Sequence, residues 1–408
     1  MIDYKSLKEQ FGTPLYVYDE NKILDIMNAY KTNFKSDKFK TSVLYASKAL
    51  SIVKLYKLCM ETGLKADVVS LGEIYTALIA GMNPSDLYFH GNNKTEEEIE
   101  YALNNGVNHI VIDSYDDYIL IEKIANRLNK EVHSLIRLNV GVEAHTHKFI
   151  VTAHVDSKFG VLIGSQELNN ILSGIKNSKY VKLEGFHSHI GSQIFEMEGF
   201  YAAIDKLLTF IKTFNQKMSL NIGGGFGARY TDEDKPIETA KLCQMLINHT
   251  ENKLKELNLE INELLMEPGR SIVCEAGTTL YTIGNKKETP NRKYYFIDGG
   301  MTDNIRPALY QAKYSADIVG KENEEKTETI TVAGKCCESG DIIIEDILLQ
   351  DAQRGDLMVV YSTGAYGYSM SSNYNKALKN AVVFVKDGKA TLAVKRQTLK
   401  ELLADEVL

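Results

Sequence analysis

What most constrains the fold of this chain is a repeat: a short apolar run, a polar or glycine-containing turn, then a segment of helical periodicity. Eight such runs occur, at 42–47, 65–69, 86–90, 109–113, 132–138, 182–187, 219–222 and 261–266. The segments between them read as helices. Ile52, Leu55, Tyr56, Cys59 and Met60 share one face, and Thr95 with Glu98 forms a capping box ahead of Ile99 and Leu103. Eight consecutive β-α units predict an α/β architecture, a (β/α)8 barrel of the TIM type over residues 25–268.

In such a barrel the functional groups gather at the C-terminal ends of the strands, and the unusual residues of this chain fall there. Lys48 follows the first run and Asp67 lies late in the second. His90-Gly91-Asn92 ends the third, Arg137 and Asn139 the fifth, and His187-Ser188-His189-Ile190-Gly191-Ser192 the sixth. Gly223-Gly224-Gly225 ends the seventh and Glu267-Pro268-Gly269-Arg270 the eighth. One polar residue after a strand is an ordinary turn. Seven of eight strand ends carrying them point to a common site.

Among these, Lys48 stands between small and apolar neighbours, a setting that can partly desolvate an amine, lower its pKa and ready it for Schiff-base chemistry. The triple glycine bares backbone N–H groups that suit a phosphate. His189 offers a flat ring and Ser192 a hydroxyl. Pyridoxal phosphate meets all of these: an aldehyde for Lys48, a phosphate for the glycines and Ser192, and a ring for His189 to stack upon.

Composition narrows the partners. With 408 residues, 44% hydrophobic, 25% charged and only 6 prolines, the chain reads as an ordinary globular protein of two-domain length. A net charge of −7 argues against nucleic acid as a partner. No run approaches the length of a membrane span, and Met1–Gln10, which holds Asp3 and Glu9, has no signal-peptide core, so no membrane partner and a cytoplasmic location are expected. The 5 cysteines, with Cys336 and Cys337 adjacent, form neither a disulfide framework nor a paired zinc motif. His145 and His147 lack a nearby third ligand, so no metal is expected.

After Arg270 the pattern changes to apolar or alternating strands at 271–283, 293–297, 329–332, 357–361, 381–385 and 390–394, with little helix between them. This predicts a second, all-β domain (a barrel or sandwich) over 269–408. Residues 288–292 and 321–326 read as solvated loops.

The motifs Phe11-Gly12-Thr13-Pro14, Tyr45-Ala46-Ser47-Lys48-Ala49, Asp67-Val68-Val69-Ser70, His90-Gly91-Asn92-Asn93-Lys94, His187-Ser188-His189-Ile190-Gly191-Ser192-Gln193, Gly223-Gly224-Gly225 and Glu267-Pro268-Gly269-Arg270 continue into Arg306-Pro307-Ala308-Leu309-Tyr310, Cys337-Glu338-Ser339-Gly340-Asp341 and Gly364-Ala365-Tyr366. In this order, over nearly the whole chain, they resemble the diaminopimelate decarboxylase family, alanine racemase-like enzymes of pyridoxal-phosphate fold type III. The resemblance implies that residues 1–24 pack with the β-domain and that Lys48 holds the cofactor, with Asp67 beside it and His189 on its ring. It further implies that Ser192, Gly224, Gly225 and Tyr366 bind the phosphate, with Arg270 near the cofactor, and that Glu267 meets the pyridine nitrogen. A carboxylate there favours the protonated ring by about 4 kcal/mol at 4 Å and an effective dielectric near 20, which suits decarboxylation; racemases of similar fold present an arginine instead.

The substrate argument concerns the far end of meso-2,6-diaminopimelate, which carries an ammonium and a carboxylate and needs a fixed anion and a fixed cation. Arg306 with Tyr310, helped by Arg270 and Tyr366, supplies the carboxylate side and Glu338 the ammonium side. Decarboxylation would then give L-lysine and CO2. A decarboxylase of ornithine, lysine or a carrier-bound amino acid is the alternative with the same cofactor, and a non-catalytic binding protein would have lost Lys48, Glu267 or the glycines. By resemblance, Cys337 is the candidate acid that reprotonates the substrate carbon, and Cys337 and Glu338 reach a neighbouring subunit's site, implying a homodimer with shared active sites. The chain departs from the family pattern at Leu50, Ala153 after Thr152, Thr302 and Lys379-Asn380, which bears on the 145–158 loop and the C-terminal packing.

Overall fold

The computed structural model describes residues 2–142, 157–214 and 216–407. His145, His147, Thr152 and Ala153 lie outside the described residues. The chain forms two compact units, one of residues 26–227 and 236–269, the other of residues 1–25, 228–235 and 270–408.

The first unit is a closed barrel of eight parallel strands: β1 (Lys40–Ala46), β2 (Lys65–Val68), β3 (Leu87–Phe89), β4 (His109–Ile112), β5 (Val132–Asn139), β6 (Val181–His187), β7 (Ser219–Asn221) and β8 (Glu263–Met266). Neighbours run β4-β3-β2-β1-β8-β7-β6-β5, and pairing of β4 with β5 closes the ring. Each of the eight apolar runs is a strand, as expected from sequence. Leu44, Tyr88, Val111, Leu135 and Leu265, all under 5% exposed, fill the interior; burying each such side chain contributes about 2 kcal/mol.

The first helix after Lys48, Val53–Thr62, buries Leu55, Tyr56, Leu58 and Cys59, and Gly63 in the left-handed region ends it. Met60, expected on that buried face, is 37% exposed, because the buried stripe turns toward Leu58 instead. The capping box of Thr95 and Glu98 forms as expected.

Strand contact in the barrel depends on Gly185 in β6, where an added Cβ would sit 1.9 Å from the Ser219 carbonyl oxygen of β7. Gly185→Ala is therefore expected to cost about 2–3 kcal/mol of stability by forcing two strands apart, read as a lower urea midpoint in far-UV circular dichroism. An unchanged midpoint would show that the strands can give way.

The second unit is a sheet in which Leu15–Asp19 lies between Gly277–Thr289, antiparallel to it, and Ala381–Lys386, parallel to it. Arg292–Ile297, Glu328–Ala333 and Ile342–Leu349 extend it on one side and Lys389–Val394 on the other; Leu357–Val360 pairs with Gly277–Thr289 and with Ala316–Ile318. Leu7, Leu15, Val17, Leu280, Val359 and Val383 form its core. Two expectations are corrected here. The 271–283 stretch is not one strand, since Arg270–Val273 is helical and the strand begins at Gly277. Residues 288–292 are the end of that strand and its tight hairpin, closed by Thr289 and Arg292, and not a loose loop. The Lys379-Asn380 departure finds a structural use: the buried Asn380 amide donates to Asp303 (2.5 Å) and its carbonyl accepts from Arg396 (2.9 Å).

Candidate active site

Every strand of the barrel delivers a polar or ionisable residue at or just beyond its C-terminal end. In strand order these are Lys48, Asp67, His90, Asp113, Arg137, His187, Asn221 and Glu267. The carboxylate of Glu267, 6% exposed, is the centre of the arrangement. Asn221 donates its amide N–H to Oε1 at 2.7 Å. The Nε2 of His187 meets Oε2 at 3.1 Å, and the Nε2 of His90 lies 2.9 Å from Oε1. Burial alone would raise the Glu267 pKa, but the nearby His90 and His187 outweigh it and hold the carboxyl well below the usual range. Burial pushes the His187 imidazole down to about 4, so it is neutral at pH 7.

A carboxylate only accepts hydrogen bonds, so Nε2 of His187 must carry the proton. The Nε2 of His90 also lies 2.9 Å from Oε1, but it is buried without a hydrogen-bond partner among the described residues, so it is a close polar contact and not an aligned donor. The two imidazoles meet edge to face, 4.9 Å apart. With Glu267 they could also chelate a cation, their donor atoms all lying within 4.8 Å of one another, while the hydrogen bonds from His187 and Asn221 already hold the carboxylate. The loop that presents His90 is tied down twice. The His90 N–H donates to Val68 of β2 (2.8 Å), and the buried Lys94 ammonium donates to Gly91 O, Val111 O and the Asp117 carboxylate at 2.7–2.8 Å.

The triple glycine has a steric reason first. A Cβ on Gly224 would lie 2.0 Å from the Glu267 carbonyl oxygen, and one on Gly225 would lie 2.2 Å from that of Gly191. Two of its N–H groups already serve the barrel: Gly223 donates to Asn221 Oδ1 (2.9 Å) and Gly224 to His189 Nδ1 (3.2 Å). The second bond fixes the proton of His189 on Nε2. Desolvation, then the charges of Lys48 and Arg137, keep this half-buried imidazole well below its ordinary pKa.

Lys48 lies in a single 3-10 turn, Ser47–Ala49, after β1. It is exposed, not desolvated as expected, because the turn lifts it out of the strand's buried line. Its charge is felt by Asp67, Glu73 and His189. Asp67 is 2% exposed, and burial raises its pKa. Ser192 is exposed.

The other unit holds its own cationic cluster. Arg306, 7% exposed, donates Nη1 to the Tyr314 hydroxyl at 2.7 Å, and its guanidinium lies 4.7 Å from the Tyr230 ring centre. Arg270 donates to the Tyr230 hydroxyl and lies 4.8 Å from the ring of Tyr366, whose backbone has φ +63°. Tyr310 shares the helix Arg306–Tyr310 but is 61% exposed, so the phenols beside Arg306 are Tyr314 and Tyr230. Cys337 and Glu338 lie on an exposed turn held by the buried Asp341, which accepts from the N–H groups of Met301 (2.6 Å) and Cys336 (2.7 Å). Asn375 Oδ1 accepts the Cys337 N–H at 3.1 Å.

Sequence reading placed His90 and His187 at strand ends without giving them a role, and did not single out Asn221, Asp113 or Tyr230. Asn221 and Asp113 share the signal that marked the others, a polar side chain at a strand's C-terminal end. Tyr230 carries no such signal; it belongs to 228–235, the short piece that leaves the barrel for the other unit.

Residues 20–274 match the family described as pyridoxal-dependent decarboxylase, pyridoxal binding domain. The chain is 47% identical to a diaminopimelate decarboxylase of Staphylococcus aureus (strain COL), covering 99% of this chain and 96% of that one. It is 44% identical to that of Bacillus subtilis (strain 168), over 98% of this chain and 93% of the relative. The solved structure of the M. jannaschii diaminopimelate decarboxylase in complex with L-lysine matches with a TM-score of 0.93 at 32% identity, covering 100% of this chain and 94% of that one. The chain belongs to the diaminopimelate decarboxylase family of pyridoxal-dependent decarboxylases.

Proposed function

We propose that this chain decarboxylates meso-2,6-diaminopimelate to L-lysine with pyridoxal phosphate as cofactor, the last step of lysine biosynthesis. The observation that carries the reading is the buried, ionised Glu267 at the barrel's C-terminal rim, flanked by His90, His187 and Asn221. The rim residues suit the cofactor: Asp67 Oδ1 and Ser188 Oγ are buried without a hydrogen-bond partner among the described residues, as groups awaiting a polar ligand would be. When bound, pyridoxal phosphate supplies an electron sink for the pair left behind by departing CO2.

In this reading Lys48 binds the cofactor covalently, His189 stacks on its ring and Asp67 lies beside it. Ser192, Gly224, Gly225 and Tyr366 take the phosphate, with Arg270 close by. Glu267 keeps the ring nitrogen protonated. Arg270, Arg306, Tyr310 and Tyr366 take the distal carboxylate of the substrate, and Glu338 its distal ammonium. Cys337 returns a proton to the substrate carbon that lost CO2. The exposed turn of Cys337 and Glu338 supports a homodimer that shares its active sites. No helix among the described residues is long and apolar enough to cross a membrane; a biosynthetic role supports a cytoplasmic enzyme.

The test supplies the purified protein with pyridoxal phosphate and offers meso-diaminopimelate, L-lysine or L-ornithine while CO2 and product are recorded. CO2 and L-lysine from diaminopimelate alone are expected, with rates on the others lower by about 100-fold or more. CO2 from lysine or ornithine at a comparable rate would move the substrate to the smaller amino acids.

A further inference from the structure

The two oxygens of Glu267 are not equivalent. Oε1 is flanked twice, by the Asn221 amide at 2.7 Å and the His90 Nε2 at 2.9 Å, whereas Oε2 meets His187 Nε2 at 3.1 Å. A carboxylate offers about four lone-pair sites over its two oxygens. The side of Oε2 away from His187 is therefore the direction in which Glu267 is best able to accept one further proton donor.

We propose that His187 and Asn221 are positioning residues that hold Oε2 of Glu267 toward the cofactor's ring nitrogen, with His90 packed against Oε1, and leave the shared proton on that nitrogen. The proposal rests on the assignment of Glu267 to the ring nitrogen. One proton bridges the pair, and it can sit on nitrogen, as pyridinium facing carboxylate, or on Oε2, as carboxylic acid facing neutral pyridine. The composition is the same in both. Each N–H aimed at the carboxylate lowers its proton affinity and tips the balance toward nitrogen. Only the pyridinium form withdraws electrons strongly, so groups that never touch the reacting carbon set how good a sink the ring is.

His187 suits the task because it is a neutral donor and not a cation. A buried imidazolium beside Glu267 would itself compensate the carboxylate and weaken its hold on the pyridinium. His187 stays neutral through burial, with its Nδ1 lacking a hydrogen-bond partner among the described residues. Asn221 ties the device to the glycine turn, since the side chain that donates to Glu267 also accepts the Gly223 N–H.

The experiment uses holoenzyme loaded with pyridoxal phosphate labelled with 15N in the ring, and reads the ring-nitrogen chemical shift between about pH 6 and 8, one unit either side of neutrality. In wild type the nitrogen is expected to be protonated throughout. His187→Leu should move the shift toward that of neutral pyridine and lower kcat about 10- to 100-fold with little change in KM. His187→Gln, which restores an N–H donor, should recover most of both. Asn221→Leu provides a second reading should the His187 variant fail to fold. If Glu267→Gln moves the shift while the leucine variants do not, the positioning role is refuted and the Glu267 contact stands. If Glu267→Gln itself leaves the nitrogen protonated, the contact and the positioning role fall together.

Discussion

Lys48→Ala is expected to remove the visible absorbance band of the bound cofactor and to cut CO2 release from meso-diaminopimelate on the order of 10^4-fold or more. The size follows from what the residue supplies, since no other group in the turn Ser47–Ala49 carries an amine. Stability should hardly change. Lys48 is exposed and lies beyond the buried strand Lys40–Ala46, so its truncation belongs with surface changes worth within about 0.5 kcal/mol. The prediction is therefore a split, with thermal unfolding intact and the band and turnover gone. A variant that keeps the band would place the covalent attachment on another lysine; Lys94, the other rim lysine, is already committed to Asp117 and two carbonyls.

How much of this was legible beforehand depended on how many faces of an element are buried. The barrel strands are covered on both sides and therefore read as continuous apolar runs with a polar residue at the end, which is why all eight were visible. The β-unit was harder. Ile342–Leu349 carries Glu345 and Asp346 at its middle, and Asp346 adopts φ +52° where the register with Glu328–Ala333 shifts, so its alternation breaks. Leu15–Asp19 is a short run of 5 residues that lies near the middle of its sheet, through pairings with residues more than 250 positions away.

The site shows the same division. Lys48, Asp67, His189 and Glu267 could be picked out as chemistry at strand ends, yet which of them touch is a matter of spatial order. His187 meets Glu267 across 80 positions and Asn221 meets it across 46, joined only because β6, β7 and β8 are neighbours in the closed sheet. The triple glycine looked like a ligand cradle in sequence. In space its missing side chains are needed first to let the Glu267 and Gly191 carbonyls approach. Steric need and ligand binding select the same residue here, and sequence cannot separate them.

Arg306→Met is expected to lower kcat/KM for meso-diaminopimelate about 10^2- to 10^3-fold while leaving the protein as stable as before or more so. A guanidinium that is 7% exposed normally has an anionic partner. Among the described residues no carboxylate lies within ion-pair distance of Arg306; its neighbours are the Tyr314 hydroxyl and the face of Tyr230. Phenol and ring face solvate the cation but do not neutralise it, so the fold tolerates an incompletely compensated charge where an apolar side chain of similar length would pack as well. Such a cost is retained where function needs it, and a substrate carboxylate would complete the pair. The signature that distinguishes this from a structural arginine is the opposite movement of two readouts, with activity falling while the unfolding midpoint holds or rises. If Arg306→Met loses stability and activity together, the arginine is structural and the distal carboxylate must be bound elsewhere. If the rate on meso-diaminopimelate falls while any trace rate on L-lysine holds or rises, the side chain reads the second carboxylate, because that is the group by which the two amino acids differ.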